Sequence, residues 1–138
     1  MGLILDSSVI VAFERRRFDL ERLITDHTPA AIAAVTAAEL LIGVERADTS
    51  ARRARREAFV QNIFLRTPII PFDLAQARLY ASKYAELALQ GQLIGDRDLQ
   101  IAATALTLNY EVATLNVNEF QRVSALRLLD VSPYASTG

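Results

Sequence analysis

Apolar residues in this chain recur with two spacings, and the two alternate along its length. Leu3-Ile4-Leu5 is an unbroken apolar run of the kind found in a strand covered on both faces. A helical spacing follows, with Val9, Ile10, Ala12 and Phe13 turned inward. It ends in Arg15-Arg16-Arg17, where positive charge suits a helix C-terminus. Leu20, Leu23 and Ile24 stripe a second, short helix over residues 19–26. Residues 30–35 read as a second buried strand. A helix then starts at Thr36, with Leu40, Leu41 and Val44 inside, and residues 46–65 continue as helix to make a hairpin. Residues 68–72 form a short strand bracketed by Pro68 and Pro71, as at a sheet edge. Asp73 caps a long helix to about Gln90. Gly91 and Gly95 break the chain, and Asp96 opens a helix over residues 97–108. A strand over 112–115, a helical turn over 117–121 and a last strand over 126–131 complete the pattern. Residues 132–138 read as a loose tail.

Strands alternating with helices predict an α/β domain with a central, mainly parallel sheet. No linker or internal repeat divides residues 1–138, so the expectation is a single domain. Ligands of open parallel sheets bind outside the carboxyl ends of the strands. The first strand ends there in an acid and two hydroxyls, Asp6-Ser7-Ser8.

Composition narrows the chemistry. The chain has no cysteine, which excludes disulfides, zinc-thiolate sites and thiol catalysis. Its one histidine, His27, lies in a polar stretch with no nucleophile elbow in the chain, so paired-imidazole ribonuclease chemistry is excluded as well. The formal net charge is −1, so the whole molecule does not act as a cation toward nucleic acid. All its basic side chains except Lys83 are arginines, the better bidentate phosphate ligands. No basic segment precedes an apolar one at the N-terminus, and residues 29–44 are too short and too polar to span a bilayer. The expected location is the cytoplasm.

Four places put an acid or its amide just past a strand and at the start of a helix: Asp6, Glu39, Asp96 with Asp98, and Asn116 with Glu119. Each has a plain structural explanation as a cap or a dipole partner. Thr36 with Glu39 fits a capping box, and Asn116 with Glu119 nearly does. Together they have another meaning. In a parallel sheet all four lie on one edge, where clustered carboxylates must take up protons or hold a cation. Oxygen ligands without His or Cys favour Mg²⁺ or Mn²⁺, and such a site suits attack of water on a phosphodiester.

The motifs around these acids resemble those of the PIN-domain family. The first is Leu5-Asp6-Ser7-Ser8-Val9-Ile10. Thr36-Ala37-Ala38-Glu39-Leu40-Leu41-Ile42-Gly43 resembles the second motif, and Gly95-Asp96-Arg97-Asp98-Leu99-Gln100-Ile101-Ala102-Ala103 the third. Thr114-Leu115-Asn116-Val117-Asn118-Glu119-Phe120 resembles the fourth. The order and length are similar to those of VapC-type toxins of bacterial toxin–antitoxin pairs. The resemblance implies a three-layer α/β/α sandwich, an Mg²⁺- or Mn²⁺-dependent endoribonuclease acting on RNA, and a homodimer. It also implies a small antitoxin protein whose tail enters the acidic cleft. Asp6, Glu39 and Asp98 carry over as catalytic metal ligands. Asn116 or Glu119 completes the set, and Asp96 supports it from behind. Ser7 and Ser8 are candidates for substrate contact or for helix capping. Arg97 is a candidate for substrate contact. The Arg52-Arg53-Ala54-Arg55-Arg56 run reads as a solvated helix face rather than an RNA contact. Two other readings remain: a PIN scaffold with impaired catalysis that serves as a binding module, and a receiver-like Mg²⁺-binding signalling domain. The receiver reading wants a strand-end lysine, whereas Lys83 lies within a helical stretch.

Overall fold

The computed structural model describes residues 2–136. Four short strands, β1 (Leu3–Leu5), β2 (Ala30–Ala33), β3 (Ile69–Ile70) and β4 (Glu111–Ala113), form one sheet. Its order is β3-β2-β1-β4 and every pair is parallel. The helices are α1 (Ser7–Glu14), α2 (Leu20–Asp26), α3 (Ala34–Glu45), α4 (Ser50–Arg66), α5 (Leu74–Leu89), α6 (Asp96–Leu108) and α7 (Val117–Phe120).

The period of two along each strand divides the core into two layers. Leu3, Leu5 and Ile32 face a cluster with Val9, Ile10, Leu20, Leu23, Leu40, Val60 and Ile63, from α1 to α4. Ile4, Ala31, Ala33 and Val112 face the other cluster, with Leu87, Leu99, Ile101, Ala102 and Phe120, from α5 to α7. This is the expected three-layer α/β/α arrangement. β1 and β2 are apolar throughout because both of their faces are covered. Edge strand β3 lies between Pro68 and Pro71, as its sequence requires. Asp73 caps α5 in a reciprocal box, its backbone N–H donating to Gln76 Oε1 at 2.9 Å. Asn109 ends α6 in the left-handed conformation, φ 56°, which asparagine tolerates better than most residues.

Several expectations are corrected. Residues 126–131 form no strand. Only Leu128 bridges to Val112, because the segment meets β4 through Val112 N–H to Arg127 O and Leu129 N–H to Val112 O, each 3.0 Å. Residues 46–65 are not one continuous helix: the chain turns at Arg46 and restarts on a Thr49 cap. Residues 132–136 are not loose. Ser132–Tyr134 make a 3₁₀ turn and Ala135 bridges to Phe18. Tyr134 is buried there; its hydroxyl donates to Asp26 at 2.8 Å, and Arg22 lies over its ring. The polarity of Ser132-Pro133-Tyr134-Ala135-Ser136 conceals one anchoring aromatic. Residues 137 and 138 of the expected tail lie outside the described residues.

Candidate metal and nucleic-acid site

Topology gathers the acids from different parts of the sequence. β1 lies between β2 and β4, so the carboxyl end of β1 is central on its edge. Asp6 leaves β1 there and is completely buried. Its backbone N–H bonds to Ala113 O of β4 at 2.9 Å. Its side chain does not cap α1, contrary to one expectation. Instead Oδ2 accepts from Ser8 Oγ and from Thr114 Oγ1, each at 2.8 Å. Both hydroxyls in turn accept backbone N–H groups from the loop after β4, Leu115 to Ser8 Oγ and Asn116 to Thr114 Oγ1, each at 2.9 Å. A hydroxyl has one proton to give, and both of these protons go to Asp6. Ser8 therefore supports the carboxylate, and its hydroxyl proton is not directed at a substrate.

Glu39 lies one turn into α3, half-buried. Helix α3 starts at Ala34 rather than Thr36, so the expected Thr36–Glu39 capping box does not form. Asp98, 7% exposed, stands in the first turn of α6. That helix follows the 90–95 loop and not a strand, so one of the four acidic places reaches the edge by a route the chain pattern did not show.

Arg97 ties these acids together. Its Nη1 donates to Glu39 Oε2 at 2.7 Å and to Ser7 Oγ at 3.1 Å. Its Nε and Nη2 donate to Asp98 Oδ1 at 3.2 and 2.8 Å. Partial burial works against the guanidinium charge, but the bonds to Glu39 and Asp98 outweigh it and hold Arg97 above its ordinary pKa. Glu119, in α7, faces Asp98 and lies beside Gly95. Burial raises the Asp98 carboxyl above the usual carboxylate range and the facing Glu119 adds to this, while Arg97 pulls the other way. The bond to Asp98 holds Glu119 below that range. Asn116 is exposed and lines the same groove as Arg97, Asp98, Glu119 and Arg122, about 640 Å³ in volume.

Asp96 is not part of the cluster. Tyr80 of α5 donates to its Oδ1 and Gln100 to its Oδ2 at 2.9 Å, so it ties α6 to α5. That bond to Asp96 pushes the Tyr80 phenol up to about 12. Thr114 was not among the residues singled out from the sequence. The available signal was a hydroxyl directly after a strand that neighbours the Asp6 strand. His27 bonds Tyr134 at 3.1 Å, outside this group. Lys83 bonds Ser124 and Glu86, as a structural tie between α5 and the chain after α7.

The donor set is oxygen only. Asp6 Oδ1 and Glu39 Oε1 are buried without any hydrogen-bond partner, as is Thr36 Oγ1. Buried carboxylate oxygens left bare are costly, and a hard cation relieves that cost. The residues present thus fit Mg²⁺ or Mn²⁺ in chemistry. As they lie, no three acidic side chains among the described residues stand close enough to share one ion.

The raised Asp98 pKa has a consequence for stability. The fold favours the neutral carboxyl, a contribution complete below the unfolded-state pKa and lost as pH rises through the folded one. Asp98→Asn, neutral at every pH, is therefore expected to melt above the wild type at pH 7 in EDTA, with the gain vanishing in acid. A variant that melts below the wild type at pH 7 would refute this.

The family model for the PIN domain matches residues 3–126. The chain belongs to the PIN-domain family. Within it, the chain is 37% identical to Ribonuclease VapC1 of Rickettsia felis over 132 residues, 96% of this chain and 98% of that one. It is 35% identical to Ribonuclease VapC of Rickettsia bellii, over 95% of this chain and 97% of that one. Among solved structures it superposes on VapBC2 from Rickettsia felis, bound to a DNA fragment from its promoter, with a TM-score of 0.82 at 28% identity, covering 94% and 98% of the two chains. The receiver-like alternative is thereby set aside: this is a PIN domain of the VapC ribonuclease group.

Proposed function

We propose that this PIN-domain chain is an endoribonuclease dependent on Mg²⁺ or Mn²⁺, the toxin of a toxin–antitoxin pair. The observation that carries the reading is the pair of bare buried oxygens, Asp6 Oδ1 and Glu39 Oε1, on the sheet edge where β1, α3 and α6 bring three acids together. Asp6, Glu39 and Asp98 would hold the ion, with Asn116 and Glu119 at the rim. When bound, the ion supplies Lewis acidity toward a phosphodiester and the water that attacks it. The chain itself provides the rest. Ser8 and Thr114 fix Asp6 in one orientation, which leaves Oδ1 free to face the ion.

An RNA strand has two grooves available. The groove with Arg97 and Arg122 adjoins a second, of about 480 Å³, which carries Arg15, Arg17 and Phe18, and the two share Leu115 and Asn116. Arginines suit the phosphates and the apolar surface suits bases. The Arg52–Arg56 run lies on the exposed face of α4, where Arg52 pairs with Asp48 and Arg56 with Glu14.

The antitoxin assignment rests on solved neighbours that are toxin–antitoxin complexes. A homodimer accounts for the apolar surface at Ile69, Phe72, Leu74 and Tyr84. No helix among the described residues is long and apolar enough to cross a membrane. We place the activity in the cytoplasm, where its substrate is made.

The purified chain is expected to cleave single-stranded RNA with Mn²⁺ and to stop in EDTA. Its expression is expected to arrest growth, and co-expression of a small adjacent gene to relieve the arrest. RNA left intact with Mn²⁺, together with growth indifferent to expression, would favour the impaired-scaffold reading, to which the amide at Asn116 lends its only support.

A further inference from the structure

We infer that Arg97 is a built-in competitor of the divalent ion, so that its guanidinium must leave Glu39 and Asp98 before the ion can take their oxygens. The inference rests on the metal-dependent reading above. The guanidinium bonds Glu39 Oε2 and Asp98 Oδ1, one oxygen from each of two acids in the proposed ligand set. It leaves Glu39 Oε1 and Asp6 Oδ1 bare. One charge therefore bridges two carboxylates and serves neither fully, while the third keeps an unpaired oxygen. A dication of small radius gathers all three more closely than a planar guanidinium does. It can do so fully only when Arg97 withdraws, because the guanidinium holds Glu39 Oε2 and Asp98 Oδ1 and carries the same sign of charge as the ion.

The geometry allows the exchange. The Arg97 backbone is held in the first turn of α6, beside Asp98, but its side chain is 35% exposed and borders the groove. Only Ser7 among its partners is uncharged. Released, the guanidinium remains at the groove that carries Arg122, with its charge beside the place proposed for the RNA backbone. Arg97 then has two successive roles: it offsets the repulsion among the acids, and it yields them to the ion. A purely positioning arginine would have the opposite effect on metal affinity, since removing it would let the carboxylates spread and weaken binding.

The test is Mn²⁺ affinity, measured without RNA by calorimetry or by the spin resonance of free Mn²⁺, on the full chain. Arg97→Gln is expected to bind Mn²⁺ at least about tenfold more tightly than wild type, the equivalent of one charge-assisted hydrogen bond no longer broken. Arg122→Gln removes the same charge nearby without touching Glu39 or Asp98, and is expected to change affinity much less. Should Arg97→Gln fail to fold, Mg²⁺ titration of the wild type followed by the Arg97 side-chain N–H signals gives the same answer. Those signals are expected to lose their protection from solvent exchange as the ion binds. Equal or weaker Mn²⁺ binding by Arg97→Gln overturns the inference and leaves the metal reading intact. So does an equal gain in Arg122→Gln, or Arg97 signals that stay protected in saturating Mg²⁺. Absence of Mn²⁺ binding in wild type and variant alike overturns the metal reading, and the inference with it.

Discussion

Asp6→Asn is expected to slow RNA cleavage by at least about a hundredfold, more than the loss of a group that merely supports a metal ligand. The fold should survive. The carboxylate receives Ser8 and Thr114 on Oδ2, and an asparagine carbonyl can accept both bonds from the same position. What disappears is the charge and the bare Oδ1, replaced by an amide that donates hydrogen bonds and offers a cation nothing. Circular dichroism should match wild type while the cleavage rate and the Mn²⁺ affinity both fall. Cleavage within a few-fold of wild type would remove Asp6 from the site and leave no central ligand for the proposed ion.

Tyr134→Ala is expected to cost about 3 kcal/mol of stability, the lower end of the range for deleting a buried aromatic side chain. The phenol is buried against Phe18 and bonds to Asp26 and His27, so the end of the chain serves as a clasp over α2. Chemical denaturation should show the loss as a lower midpoint with an unchanged slope. Truncation before Ser132 should do at least as much, since it also removes the Phe18–Ala135 bridge and the Ser136 N–H bond to Arg17 O, 2.9 Å. A midpoint unchanged in both variants would mean that the segment is as loose as its composition suggests.

The legible parts of the molecule were those in which a local pattern has one physical solution. Leu3-Ile4-Leu5 can be satisfied only by burial on both faces, so the strand and its place inside the sheet followed from three residues. The acid after it, Glu39 and Asp98 were visible because carboxylates near helix starts in a parallel α/β chain end on one edge. Residues 126–131 were misread because they are apolar enough for a strand, while pairing depends on backbone alignment with β4, and only Leu128 meets it. The Thr36–Glu39 box was misread because several residues near a helix start compete to be the cap. Here the sheet's exit from Ala33 decided, and α3 began at Ala34.

The amino-acid sequence by itself determined the class of fold, the absence of thiol and paired-imidazole chemistry, and an oxygen-only ligand set, since each follows from residue types and their periodicity. The tertiary structure decided which neighbours those residues have. Asp96 and Asp98 are two positions apart on one helix, yet one faces Tyr80 and the other faces Arg97 and Glu119. Ser8 and Thr114 are 106 positions apart and both donate their protons to Asp6. Arg97, which the sequence offered as a substrate contact, bonds the acids themselves. Hydrogen bonds and ion pairs act over about 3 Å. Only the packed chain, with β1 between β2 and β4, decides which of these groups come within that distance.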